Sequence, residues 1–256
     1  MADSSAQSRQ AVTAAILDAC HRLYARGFVS ATDGNISARL HGGNILTTRT
    51  GINKGMVTAR DLVEISPGGE VVSGQARPST ETGMHLFIYR ERQDVTAVVH
   101  AHPPYATGFA TAREPLEGCL YPEVIVGFGA IPLAEYATPS TSEVADSLRP
   151  YVRSADAILL TNHGVVAYGT DVYDAYYKME KVEHAAQITF IARLLGGEQR
   201  LSAGELDRLR HVSLQSYGKD FSGKVSCAVA GAEDDLSDDE VRQYIRKRLA
   251  SKGIIP

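Results

Sequence analysis

The sequence predicts a mixed α/β fold of the three-layer, α+β kind: a central, mostly antiparallel sheet flanked by helices. Two observations carry this. Hairpin-like strand pairs are interspersed with helical patterns along the chain, an order that favours antiparallel or mixed pairing over a run of βαβ units. Of 256 residues 44% are apolar and 22% charged, the balance of an ordinary globular protein that can fill a core rather than stay disordered. That length fits one large domain, residues 1–256, whose last part, 196–256, reads as a helical tail.

From Gln7 to Gly27 the residues Val12, Ile16, Ala19, Cys20 and Leu23 recur at three- and four-residue spacing, and Gly27 supplies a helix stop. The period then changes. Asn35–Arg39 and Asn44–Thr47, joined by His41-Gly42-Gly43, read as a hairpin, and Leu62–Ile65 with Glu70–Val72, joined through Pro67-Gly68-Gly69, as a second. After Pro78-Ser79-Thr80-Glu81 a helix is expected with Met84, Phe87 and Ile88 on one face and hydroxyl side chains capping its first turn. Thr96–His102 reads as a strand ended by Pro103-Pro104.

A helix from Ser142 to Val152 leads to the apolar run Ala157–Thr161, the pattern of a buried strand. The longest helical pattern spans Val172 to Leu195, with Ala175, Met179, Val182, Ala186, Phe190 and Leu194 as its apolar face. A short helix near Gly204–Tyr217 and a charged helix over Ser237–Leu249 complete the expected elements.

Charge and cysteine usage bound the function. With 26 Lys+Arg against 30 Asp+Glu the formal charge is −4, which argues against a nucleic-acid protein held mainly by a basic surface. Three cysteines (Cys20, Cys119 and Cys227), with no C-x-x-C pair, argue against a disulfide framework or a thiolate zinc site and fit a reducing compartment. The opening MADSSAQSRQ has no apolar leader segment, and no run nears the roughly 18 apolar residues that span a bilayer. A cytoplasmic protein without a membrane partner is expected.

The chemistry concentrates in a few segments. His100-Ala101-His102 on a strand would project two imidazoles from one face, able to meet one metal ion; the alternative is two polar residues on an exposed face. His163, at the end of the Ala157–Thr161 run, would supply the third protein ligand that a catalytic metal site requires. Glu81 at a helix start is the available carboxylate, a base beside a metal or simply an acid favoured by the helix dipole. Gly34-Asn35, Thr50-Gly51 and Ser79-Thr80 are glycine or hydroxyl pairs at turns, which could surround a phosphate if they converge.

These segments, in this order over about residues 8–195, resemble the class II aldolase/adducin family, and within it most the L-fuculose-1-phosphate aldolases. The matching stretches are Gly34-Asn35-Ile36-Ser37, Thr50-Gly51, Pro78-Ser79-Thr80-Glu81, Ala97–His102 and Thr161-Asn162-His163-Gly164-Val165 with the helix through Glu183. The resemblance implies a nine-stranded sheet and a homotetramer with sites near subunit interfaces. It implies zinc, with cobalt, manganese or iron as alternatives, held by His100, His102, His163 and Glu81. Glu81 would double as acid/base, and Gly34, Asn35, Thr50, Gly51, Ser79 and Thr80 would hold the phosphate of a sugar phosphate. Tyr121 resembles a tyrosine assisting proton transfer at the aldehyde, and Tyr217 one on a mobile tail.

The implied reaction is reversible cleavage of a short ketose phosphate to dihydroxyacetone phosphate and an aldehyde, through an enediolate that the metal stabilises. Related L-ribulose-5-phosphate 4-epimerases carry aspartate where this chain has Glu81, and an aspartate acid/base near the position of Ile125, whose side chain cannot transfer a proton. The adducin branch lacks the metal residues present here. One departure stands out: relatives read Thr-Pro-Ser/Thr-Gly where this chain has Thr48-Arg49-Thr50-Gly51. Arg49 could bind phosphate, mark a decarboxylase or dehydratase acting on a carboxylated substrate, or be a strand-edge arginine. Lys54, the nearest lysine, is expected to be a solvated charge or a substrate-anion contact.

Overall fold

The computed structural model describes residues 8–116, 121–128 and 130–217, with Phe128 and Tyr217 described by backbone alone. The chain enters through α1 (Arg9–Ala25), whose N-terminus is capped by Ser8 and whose buried side includes Val12, Ile16, Ala19, Cys20 and Leu23. Beyond it Gly27 takes φ +69°, the left-handed position that ends helices. Two hairpins follow, β1 (Asn35–Arg39) with β2 (Ile45–Thr48), and β3 (Leu62–Ile65) with β4 (Val71–Ser73). Then come α2 (Thr82–Glu91), β5 (Ala97–Ala101), α3 (Pro104–Ala112), α4 (Pro122–Phe128), β6 (Leu133–Ala134) and α5 (Glu143–Leu148). The remainder is β7 (Ala157–Leu160), β8 (Gly164–Gly169), α6 (Val172–Leu194) and α7 (Ala203–Tyr217).

One sheet runs β4-β3-β2-β1-β5-β8-β7-β6, antiparallel throughout except for β6 beside β7. The described residues thus form eight strands, not the nine implied by the resemblance. Helices cover both faces. Ile36, Ala38, Val99 and Ala167 pack into a core with α1, α3 and α6, whereas Val98, Ile158, Val166 and Tyr168 pack with α2 and α5. Every residue of β5 and β8 is buried. This explains their near-continuous apolar sequences, because strands covered on both sides need not alternate. By the two-residue repeat, His100 shares the face of Val98, toward α2.

Several local expectations need correction. No hydroxyl caps α2: its N-cap is Glu81, and Ser79 and Thr82 bond within the turn instead. Pro103-Pro104 ends β5 but also opens α3, because proline suits the first helical position, where its missing N–H costs nothing. Strand β8 shows no alternation because it is buried on both faces, and the seven-residue helix α4 is too short to show a helical period. The stripe of α6 is buried through Ala186, but Phe190 and Leu194 are exposed, since periodicity marks a face without saying how far its neighbours extend. The expected helix over Ser237–Leu249 lies outside the described residues. No described helix is long and apolar enough to cross a membrane.

Candidate metal centre

The sheet brings the dispersed motif residues to one end. His102 follows β5 directly, and β8, its antiparallel neighbour, pairs Val165 with Ala101, so the preceding residue pair His163-Gly164 lies beside His102. Asn162 makes the turn between β7 and β8 at φ +57°, a conformation that asparagine tolerates better than most residues. Gly164 is required sterically: a Cβ there would stand 2.6 Å from the Ala101 carbonyl and 2.6 Å from the His102 ring. On the other flank of β5, Asn35 of β1 is the cross-strand partner of His100. Glu81 arrives from the start of α2.

The resulting cluster is tight. His100 Nε2 lies 3.1 Å from His102 Nε2 and 3.3 Å from Glu81 Oε2, and His163 Nε2 lies 3.2 Å from Glu81 Oε1. Asn35 Nδ2 donates to Glu81 Oε2 at 2.8 Å. His100 Nδ1 donates to the Val165 carbonyl at 2.9 Å, so in the neutral ring Nε2 carries the lone pair that faces the cluster. His102 turns its Nδ1 toward Asp33, 3.7 Å away.

Electrostatics keep the ligand forms. Burial pushes the His100 imidazole down to about 3, with the other histidines adding to the fall and Glu81 opposing it. His102 is lowered by burial first and by His163 next, against Asp33 and Glu81. Burial raises the Glu81 carboxyl, but the imidazoles of His100 and His163 and the Asn35 amide outweigh it, leaving it well below the usual carboxylate range.

This donor set fits a divalent metal. One ligand nitrogen from each of His100, His102 and His163 lies within 4.8 Å of the others, and a carboxylate spans two of the three. Lone pairs that converge at 3.1 Å repel unless a proton or cation stands between them. A carbonyl and a carboxylate behind the rings supply the outer support usual for histidine ligands. Three imidazoles suit zinc, and admit cobalt, manganese or iron, better than they suit magnesium or calcium. Asn35 Oδ1, buried beside Glu81, has no hydrogen-bond partner among the described residues and is an available acceptor at the site.

The turn pairs are also gathered here. Thr50 N donates to Arg77 O, Ser79 N to Thr48 O, and an isolated bridge joins Arg49 to Pro78, so the Thr50-Gly51 and Ser79-Thr80 loops lie alongside each other. Gly34 sits at φ +71° with room for no Cβ, which would meet His100 O at 2.8 Å. Thr80 accepts a hydrogen bond from Ser140 at 2.9 Å, and a cleft of about 330 Å³ opens beside Glu81, lined also by Arg90 and Thr141.

Three other candidates stand differently. Arg49 is engaged by Asp61 Oδ1 at 2.7 Å and by the Thr50 carbonyl, the environment of a strand-edge arginine. Tyr121 packs against the core of α1, α3 and α6, with its ring edge-on to His184, on the layer opposite α2. Tyr217 closes α7, and its side chain lies outside the described residues. Lys54 is no solvated charge: it is 1% exposed and donates to two backbone carbonyls. Sequence reasoning missed Asp33, which directly precedes Gly34-Asn35 without a pattern of its own, and Ser140, which reaches Thr80 only through a tertiary contact.

Residues 14–190 match the family model described as Class II Aldolase and Adducin N-terminal domain. The chain belongs to the class II aldolase and adducin family. Among members of that family, the L-fuculose phosphate aldolase of Methanococcus maripaludis is 35% identical over 172 residues, 67% of this chain and 92% of that one. The 3-oxo-tetronate 4-phosphate decarboxylase of Escherichia coli O6:H1 is 34% identical over 197 residues, 73% of this chain and 89% of that one. A solved L-fuculose 1-phosphate aldolase superposes with a TM-score of 0.73 at 32% identity, covering 80% of this chain and 97% of that one. The family therefore includes both aldolase and decarboxylase relatives at similar distance from this chain.

Proposed function

We propose that the protein is a metal-dependent class II aldolase, a lyase that reversibly cleaves a short ketose 1-phosphate of the L-fuculose-1-phosphate kind to dihydroxyacetone phosphate and an aldehyde. The observation that carries this reading is the convergence of Glu81 with His100, His102 and His163 beside the loops of Gly34-Asn35, Thr50-Gly51 and Ser79-Thr80. In this proposal the three histidines and Glu81 hold zinc or a similar divalent ion, which when bound polarises the substrate carbonyl and stabilises negative charge developing next to it. Glu81 then moves the proton at the carbon beside that carbonyl. Its carboxylate is suited to the work because it is ionised, largely shielded from solvent and oriented by Asn35.

The backbone N–H groups and hydroxyls of the turn loops bind the phosphate and fix which carbon faces Glu81. Acid–base work is assigned to Glu81 and not to Tyr121, which packs on the opposite layer. The proposal includes a cytoplasmic homotetramer. Phe190, Ile191, Leu194 and Leu195, exposed together at the end of α6, form an apolar surface of the kind that subunits cover.

The proposal is tested by NMR of dihydroxyacetone phosphate in D2O with zinc-loaded protein. Exchange of a hydrogen on the hydroxymethyl carbon, lost in Glu81→Gln, is expected; equal exchange in both proteins would remove Glu81 from the role. A second reading, decarboxylation of a 3-oxo acid phosphate, is favoured by the decarboxylase relative at 34% identity. The engagement of Arg49 by Asp61 counts against it, because that takes up the arginine side chain suggested for a substrate carboxylate.

A further inference from the structure

Lys54 is among the largest fully buried side chains of the protein. A buried lysine is rare and is usually neutralised by a carboxylate. Here Nζ donates to the carbonyls of Ile52 at 2.7 Å and Thr32 at 3.1 Å, and among the described residues no carboxylate pairs with it at ion-pair distance. The Cys20 thiol, which also acts on it, is itself pushed by burial to about 12 and is uncharged at neutral pH. Asp33 and Glu81 attract the ammonium from farther away, Arg49 repels it, and burial is the dominant influence, lowering its pKa.

The position of this cation is informative. Thr32 belongs to the loop that runs into Gly34-Asn35, and Ile52 follows Thr50-Gly51 directly, so one ammonium ties together two of the three loops of the proposed phosphate cradle. The ammonium has three N–H donors and two carbonyl partners, which leaves a positive charge behind the cradle without a matching anion. An arrangement that is costly in the free protein becomes favourable once a dianion occupies the cradle.

We propose that Lys54 is the buried cation of the anion subsite, joining the two loops and giving the cradle its preference for a phosphorylated ligand over the neutral one. This rests on the reading of those loops as a phosphate cradle, and it adds a residue that sets substrate class rather than one that takes part in bond cleavage.

The test is calorimetric titration of zinc-loaded full-length protein with inorganic phosphate, dihydroxyacetone phosphate and dihydroxyacetone, in wild type and Lys54→Met. Affinity for both phosphate compounds should fall by roughly 10- to 100-fold, the worth of a hydrogen bond to a charged group. Affinity for dihydroxyacetone and for zinc should stay unchanged, a split that general loosening of the fold would not produce. Should Lys54→Met fail to fold, Lys54→Gln, which keeps N–H donors for the carbonyls but no charge, carries the same comparison. Equal loss for phosphorylated and neutral ligands, no loss for either, or wild-type protein that binds no phosphate would each overturn the proposal. Phosphate binding that depends on Lys54, in a protein with no aldol cleavage, would instead uphold it and refute the aldolase reading alone.

Discussion

An alanine at position 164 would place its Cβ 2.6 Å from the Ala101 carbonyl oxygen and 2.6 Å from Cδ2 of His102. Ordinary carbon contacts need about 3.5–4.0 Å, so the histidine ring must retreat by roughly 1 Å. Metal–ligand bonds tolerate only about 0.2 Å. His102 is partly exposed and can swing outward, which relieves the clash at the cost of the ligand position. Zinc affinity should therefore fall by roughly 10- to 100-fold, the range seen when support for a ligand is lost. Pressure on the Ala101 carbonyl adds an overpacking cost of about 1–3 kcal/mol to the fold. Competition with a chromophoric chelator measures the first effect, and thermal melting in excess chelator the second. A Gly164→Ala protein that melts lower yet binds zinc as tightly as wild type would refute the placement of His102 in the metal site.

Glu81→Gln should reduce turnover by roughly 10²–10⁴-fold, the usual contribution of a positioned acid/base, while the circular dichroism spectrum stays unchanged; turnover within threefold of wild type would remove Glu81 from the chemistry. Arg49→Met should leave KM within about threefold, because the guanidinium already serves Asp61; a rise beyond tenfold would make Arg49 a substrate contact. Stability of metal-free protein should fall with acid. Burial holds His85 at about 4 and His100 at about 3, against about 6.5 in the unfolded chain. The unfolded chain therefore binds more protons between those limits, and stability is lost as pH falls from about 6.5. From pH 7 to pH 5 His85 alone contributes a loss of about 2 kcal/mol. Urea denaturation of His85→Leu, which leaves the Ser37–Tyr89 hydrogen bond in place, should show a shallower slope, and an identical slope would contradict the assignment.

The metal residues were legible because metal chemistry constrains residue type and strand spacing together. His-x-His on β5 and a histidine after an apolar strand are local patterns, and the sheet only had to set β5 beside β8. The turn pairs were legible as loops, but their convergence depended on backbone bonds between residues 48–50 and 77–79, which leave no trace in composition. Asp33 and Ser140 reach the site from irregular segments, where no period exists to read. Lys54 illustrates the converse: a lysine in a Gly-rich turn reads as solvent-facing, and only the packing of Thr32 and Ile52 around its ammonium reverses this. Arg49 carried a sequence signal stronger than its surroundings support, because its acidic partner, Asp61, lies twelve residues away at the end of a short 3-10 turn.

The most direct measurement is release of dihydroxyacetone phosphate from L-fuculose 1-phosphate by zinc-loaded protein, beside chelator-treated protein and His102→Ala. Release that requires zinc, is lost with chelator and returns on reloading, and is absent in the variant, is the predicted result. A folded, zinc-loaded protein that releases none, or one that releases as much after the metal is stripped, would contradict metal-dependent aldol cleavage at this site.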